Sequence, residues 1–265
     1  ETGLVTLPKD IEGVKWGEYI VSGNYSYGIY AQSVAGGGGN GGSSLNAQLA
    51  VGKTAGVNGG VTMAGNAGTG NSAGNVVVTN TGSSIKTLGN FATGLLAQSI
   101  GGGGGAGGST INVQGAGGSN AASAGVNLGG VGGSGGTAGN VNVTNTASIA
   151  TGSDDPLLSE LYGNNAYGIY AQSVGGGGGS GGEAISVQGA FSTEGVAANA
   201  GVSLGGDGGE GGSSGDVTVD NSGLIKTIGN NSAAIYAQSL GGGGGAGGRV
   251  ITAQLAASSD GVTPN

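Results

Sequence analysis

The chain has 265 residues, 70 of them glycine, with three prolines and neither cysteine nor histidine, and 14 acidic residues outweigh six basic ones for a formal charge of −8. The few scattered Lys and Arg leave no basic footprint for nucleic acid or an anionic membrane surface, and the missing Cys and His remove disulfide scaffolds, soft metal sites and the usual nucleophile–base pairs. Eight Tyr, two Phe and one Trp are too few to fill a thick globular core, so a thin core in an elongated shape is expected.

Residues 1–3, ETG, share no pattern with the rest and read as the remnant of a secretion vector. Residues 4–23, with Trp16 in "IEGVKWGEYIV", read as a degenerate N-terminal coil or cap. From residue 24 onward the chain repeats. The tripeptide AQS recurs at Ala31, Ala97, Ala171 and Ala237, with spacings of 97−31 = 66, 171−97 = 74 and 237−171 = 66. The expected units are 24–89, 90–163, 164–229 and a shorter 230–265, and the longer interval carries an insertion near 153–162.

Each unit keeps one order. A strand pattern, "IYAQSV" at 29 or "LLAQSI" at 95, leads into a glycine block such as "GGGGGAGG" at 101. A second strand pattern follows ("INVQGA" at 111), then "VNLGG" at 126, then "VNVTN" at 141 and "SIATGS" at 148. Period-two alternation, β-branched residues and Gly/Asn/Ser borders are strand signals, and no stretch keeps a helical period. Tandem units unable to bury a face alone read as a solenoid. At about 20 residues per coil, 66 residues make roughly three coils, or two with extruded glycine loops.

In the AQS strand Ile29, Ala31 and Ser33 share one face and Tyr30, Gln32 and Val34 the other. Both carry apolar bulk, so the glycine block is expected to cover the Tyr/Val face. "GGVGGSGG" at 129 and "GGDGGEGG" at 205 repeat every three residues, the period of an extended polyproline II helix. Two sides of such a helix are bare backbone, and Val131, Ser134, Asp207 and Glu210 point to water. The glycine blocks are therefore read as ordered, polyglycine II-like segments packed alongside the coils, against the alternative of flexible linkers. Recurrent Gln32, Gln98, Gln172 and Gln238, with Asn80, Asn145 and Asn221, suggest amide ladders.

No catalytic, cofactor-binding or metal-ligating residue is expected. "GGDGGEGGS" at 205 departs from the calcium nonapeptide at its acidic and apolar positions, and "GKT" at 52 lacks the phosphate-loop glycine, Ala47 standing there. Sequons at Asn24 and Asn230 matter only in a glycosylating pathway. The insertion "SDDPLLSELY" breaks the repeat. Its Asp155–Pro156 step reads as a helix start, and Asp154, Asp155, Leu157, Leu158, Leu161 and Tyr162 are the candidate partner contacts, against a short helix folded back on the shaft.

The string V-x-V-x-N-x-G-x-I-x-T-x-G-N-x-x-A-x-x-φ-A-Q-S-φ-G-G-G-G-G-x-G-G, seen at 216–248, resembles the glycine-rich passenger repeats of bacterial outer-membrane autotransporters of type V secretion. The resemblance covers nearly all of the chain beyond residue 24. It implies an all-β, right-handed parallel β-solenoid, export across the outer membrane, and display at the bacterial cell surface as part of a larger anchored protein. The expected function is a structural shaft contributing to adhesion. The alternative is a module that binds a host-surface protein or glycan through the repeated Tyr edge or the insertion, and a polysaccharide-cleaving enzyme comes third. Nucleic acid and direct membrane insertion are not expected, and self-association is left open.

Overall fold

The computed structural model describes residues 3–6, 19–82, 84–155 and 163–259, and among these the chain is all-β with no helix. The strands follow in chain order as β1 (Gly3–Thr6), β2 (Tyr19–Val21), β3 (Ile29–Val34), β4 (Ser44–Val51) and β5 (Ala55–Met63). The next five are β6 (Val76–Asn80), β7 (Ile85–Thr87), β8 (Leu95–Ile100), β9 (Thr110–Gly118) and β10 (Asn120–Leu128). Then come β11 (Val141–Asn145), β12 (Ile149–Thr151), β13 (Ile169–Val174), β14 (Ala184–Ser192) and β15 (Ala197–Leu204), and finally β16 (Val217–Asn221), β17 (Ile225–Thr227), β18 (Ile235–Leu240) and β19 (Val250–Ser258). Each strand pairs in parallel with the strand five places away, giving the sheets β1-β6-β11-β16, β2-β7-β12-β17, β3-β8-β13-β18, β4-β9-β14-β19 and β5-β10-β15.

The register joins equivalent residues of successive units. Ala171 pairs with Ala97 and Ala237, and Val143 with Val78 and Val219. One unit therefore contributes one strand to each sheet and a single rise of about 4.8 Å. The expected two or three coils per unit are corrected to one layer, because the glycine runs are themselves part of the circuit.

Three of the sheets enclose an apolar body. Val141 and Val143 of β11, Ile149 of β12 and Ile169 and Ala171 of β13 face one another, and the same columns continue through the other layers. The alternation in V-x-V and I-x-A aims these side chains inward. At the edge of the body Asn80, Asn145 and Asn221 form a ladder, Asn80 Nδ2 donating to Asn145 Oδ1 at 2.8 Å and Asn145 Nδ2 to Asn221 Oδ1 at 2.7 Å.

From the body the chain runs out along one glycine segment, makes two long strands, and returns along a second. Outgoing and returning segments bond to each other as Gly130 N→Gly108 O, Gly133 N→Gly105 O and Gly136 N→Gly102 O. Every third residue instead donates to the next layer, as in Gly101 N→Val174 O, Gly104 N→Gly177 O and Gly107 N→Ser180 O. The third phase points outward and holds the non-glycine residues: Ala106 and Ser109, Ser180 and Glu183, Ala246 and Arg249, with Val131, Ser134, Asp207 and Glu210 on the returning runs. Cross-bonds onto the first layer, where Ala67 occupies a laterally donating position, are 3.0 Å for Gly102 N→Asn71 O, 3.1 Å for Gly105 N→Gly68 O and 3.0 Å for Gly108 N→Gly65 O, against 2.8 Å for Gly179 N→Gly133 O.

The glycine runs do not cover the Tyr/Val face of β3, correcting that expectation. Tyr30 and Val34 stay more than half exposed. Inward-facing serines hold the base of the returning run instead: Ser99 Oγ accepts from Gly139 N at 2.9 Å and donates to Gly74 O at 3.0 Å, and Ser173 Oγ repeats the pattern with Gly215 N and Gly139 O.

Beyond the glycine segments, β4-β9-β14-β19 packs face to face on β5-β10-β15 to form a wing. Its interior joins a small alanine cluster, Ala116, Ala121 and Ala190, to a larger set of polar side chains. Asn112, Gln114, Ser123, Asn127, Ser186 and Gln188 are buried there, and Gln254 Nε2 donates to Gln188 Oε1 at 2.9 Å. The glutamine column explains the glycine column opposite, since a Cβ at Gly125 would lie 2.7 Å from Gln188 Nε2 and one at Gly201 2.6 Å from Gln188 Oε1.

Candidate functional site

The turn before each AQS strand begins with an asparagine, Asn24, Asn90, Asn164 or Asn230. These side chains tie layer to layer, Asn24 Oδ1 accepting from Asn90 N at 3.0 Å, Asn90 Oδ1 from Asn164 N at 3.0 Å and Asn164 Oδ1 from Asn230 N at 2.8 Å. The next residue has left-handed backbone in all four layers: Tyr25 (φ 59°), Phe91 (φ 58°), Asn165 (φ 55°) and Asn231 (φ 56°). Asparagine tolerates that conformation, whereas an aromatic residue there costs on the order of 1–2 kcal/mol. Two layers thus keep a ring where the backbone favours asparagine.

Both rings stand in solvent, Tyr25 at 65 % exposure and Phe91 at 42 %. They stack at 4.8 Å between centroids and 5° between planes. A second cluster lies beside them, Tyr170 stacked on Tyr236 at 4.9 Å and 14°, with Tyr167 tilted against both. The layer between is smaller, with Thr93 where Tyr27 and Tyr167 stand and Leu96 where Tyr30 and Tyr170 stand. That step opens a groove of about 270 Å³ lined by Tyr25, Tyr27, Phe91, Thr93, Leu96, Gln98, Asn165, Tyr167 and Tyr170.

Gln98 belongs to an amide ladder crossing the sheet. Gln32 Nε2 donates to Gln98 Oε1 at 2.7 Å, Gln98 to Gln172 at 2.6 Å and Gln172 to Gln238 at 2.8 Å. Tyrosine hydroxyls join it from the ends, Tyr30 Oη donating to Gln32 Oε1 at 2.8 Å and Tyr236 Oη to Gln238 Oε1 at 3.1 Å. No charged side chain lines the groove. The Tyr170 hydroxyl is held above its ordinary value of 10.0, first by burial and then by Tyr236 and Tyr167, so it stays a neutral donor. Flat apolar rings beside neutral hydrogen-bonding groups suit an uncharged ligand with one apolar face.

The described candidate residues of the insertion, Asp154 and Asp155, do not line this groove. Asp154 pairs with Lys226 at 2.5 Å, both side chains more than half exposed, and the Asp155 backbone N donates to Ser153 Oγ at 3.2 Å. Leu157, Leu158, Leu161 and Tyr162, like Pro156 and Trp16, lie outside the described residues. Sequence reasoning marked the Tyr30/Tyr170/Tyr236 edge but missed Tyr25 and Phe91. The signal was there: Asn165 and Asn231 at the same position reveal left-handed backbone once the copies are aligned. Among the described residues no group of three His, Cys, Asp or Glu side chains converges. Compared with known proteins, the chain has no significant match to any family model, curated protein or solved structure.

Proposed function

We propose that the chain is part of a surface-displayed passenger of the autotransporter type, a right-handed parallel β-solenoid that serves as a structural shaft contributing to adhesion. In this reading the glycine runs are polyglycine II-like segments, a two-row neck joining body to wing. What supports it most is the unbroken register: equivalent residues pair through the layers in the sheets, and the neck bonds at every third residue. Such a layer is wide and short. Four layers stand about 19 Å tall, so a 100 Å shaft takes roughly 20 units, and stiffness comes from breadth. Hydrogen exchange tests the reading: the bonded amides of 101, 102, 104, 105, 107 and 108, and of 175, 176, 178, 179, 181 and 182, are protected like those of β8 and β13. Exchange at the rate of a free glycine chain refutes it. Removing 154–161 leaves adhesion unchanged if the shaft role is right, and loss of adhesion assigns binding to the insertion.

A second reading is favoured by the strained Tyr25 and Phe91: strain persists where the surroundings hold it for a use. The groove then binds a neutral saccharide whose apolar ring face lies on the aromatic shelf. Titration with neutral oligosaccharides checks this. Phe91→Asn abolishes binding while leaving the fold intact, and unchanged binding overturns the reading.

A further inference from the structure

The wing is inverted. In a two-sheet sandwich the facing surfaces are apolar and the outward ones polar. Here the amides face inward and the outward face of β4-β9-β14-β19 carries Ile111, Val113, Ile185, Val187 and Phe191, Phe191 itself 52 % exposed. No charged residue occurs in β4, β9, β14 or β19. We propose that this face is a contact surface for a second copy of the chain, the two wings meeting through the outer faces of their four-stranded sheets.

Four features of the face select that occupant. Four strands at about 4.8 Å by nine residues at about 3.3 Å give a footprint of roughly 570 Å², or about 1,100 Å² for the pair, just above the ~1,000 Å² that a biological interface has to clear. Leu49, Gly115, Gly189 and Leu255 share one register position. Leu49, 78 % exposed, lies over Gly115, its Cδ1 2.9 Å from where a Cβ there would stand, and lines a shallow depression of about 340 Å³ with Ala47 and Val113. Overlap of all four strands about a two-fold axis between β9 and β14 sets Leu49 of one copy against Leu255 of the other. The charge of −8 does not oppose the contact, because the acidic residues lie off the face. A lipid surface fits less well. Among the aromatic residues only Phe191 stands on these strands, so the Tyr/Trp belt of a membrane-seated sheet is missing, and the polar turns holding Lys53, Ser119 and Glu194 at the wing tip would have to enter first.

Sedimentation velocity of the full chain over a concentration series tests the proposal. The chain dimerises, the double variant Val113→Lys/Val187→Lys stays monomeric, and Val126→Lys/Val202→Lys on the opposite wing face still dimerises. A chain that is monomeric throughout overturns it, as does a dimer that survives Val113→Lys/Val187→Lys, which would place the contact on strand edges or the other face. So does co-sedimentation with phosphatidylcholine vesicles without self-association. Should the lysines impair folding, Val187→Cys serves, since the native chain has no cysteine. On oxidation it yields a covalent dimer faster than Val202→Cys does, and equal rates overturn the proposal.

Discussion

Two glycines two residues apart in the same run are expected to respond to alanine in opposite directions. At Gly179 a Cβ would stand 1.8 Å from Gly105 O and 2.5 Å from its carbonyl carbon. Restoring ordinary contact near 3.4 Å means opening the layers by roughly 1.6 Å. Gly179 also donates to Gly133 O at 2.8 Å and accepts from Gly209 N at 2.8 Å, and neither bond survives such a displacement. Overpacking costs about 1–3 kcal/mol and each lost bond about 1 kcal/mol, so Gly179→Ala should destabilise by about 3–5 kcal/mol. At Gly177 the nearest atom to a Cβ is Gly243 O at 3.8 Å. There alanine meets open space and lowers the entropy of the unfolded chain, so Gly177→Ala should stabilise by about 0.4–1 kcal/mol. Urea denaturation of the two variants beside the parent chain checks the pair. Equal losses, or none at Gly179, would refute the three-phase account of the neck.

Asn145→Ala strands Asn80 Nδ2, Asn221 Oδ1 and Ala147 O inside the ladder and should cost about 2–4 kcal/mol in the same assay. Asp154→Ala removes an exposed ion pair with Lys226 and should change stability by less than about 1 kcal/mol. The chain should lose stability as pH rises above 10.0, because Tyr170 ionises at its ordinary value when unfolded and only higher when folded. Tyr170→Phe cannot ionise, and its stability measured on either side of that pH should fall less steeply.

Much of the body was legible because period two and identity between copies point the same way. Alternation alone sets Ile29/Ala31/Ser33 on one face and Val217/Val219 on another, and the structure turns both faces inward, although the AQS strand reads as buried on both sides. Layer height was not legible. A 66-residue spacing fits several thin coils or one broad circuit, and only the bonding of one glycine run to its neighbour 66 residues on decides. The Gln114/Gln188/Gln254 column could be read as a ladder, but not the direction it faces, because alternation gives two faces without saying which is inside. Where amides and apolar residues alternate, burial normally goes to the apolar set, and the wing reverses it. At the groove, the left-handed turn is masked in the two copies that carry Tyr25 and Phe91, the rings that make the site interesting.

The outward phase of the neck has one more consequence. Side chains at positions such as 103, 106, 131, 134, 207 and 210 point away from the lattice, although the carbonyls there accept its interlayer bonds, and these positions already hold Gly, Ala, Val, Ser, Asp and Glu. Antibodies or phage that recognise this strip read side chains that carry almost none of the folding energy. Variation can therefore accumulate there to escape recognition while every neighbouring glycine stays under steric veto, and a designer could rewrite the same strip with charges or ligating groups at little thermodynamic cost.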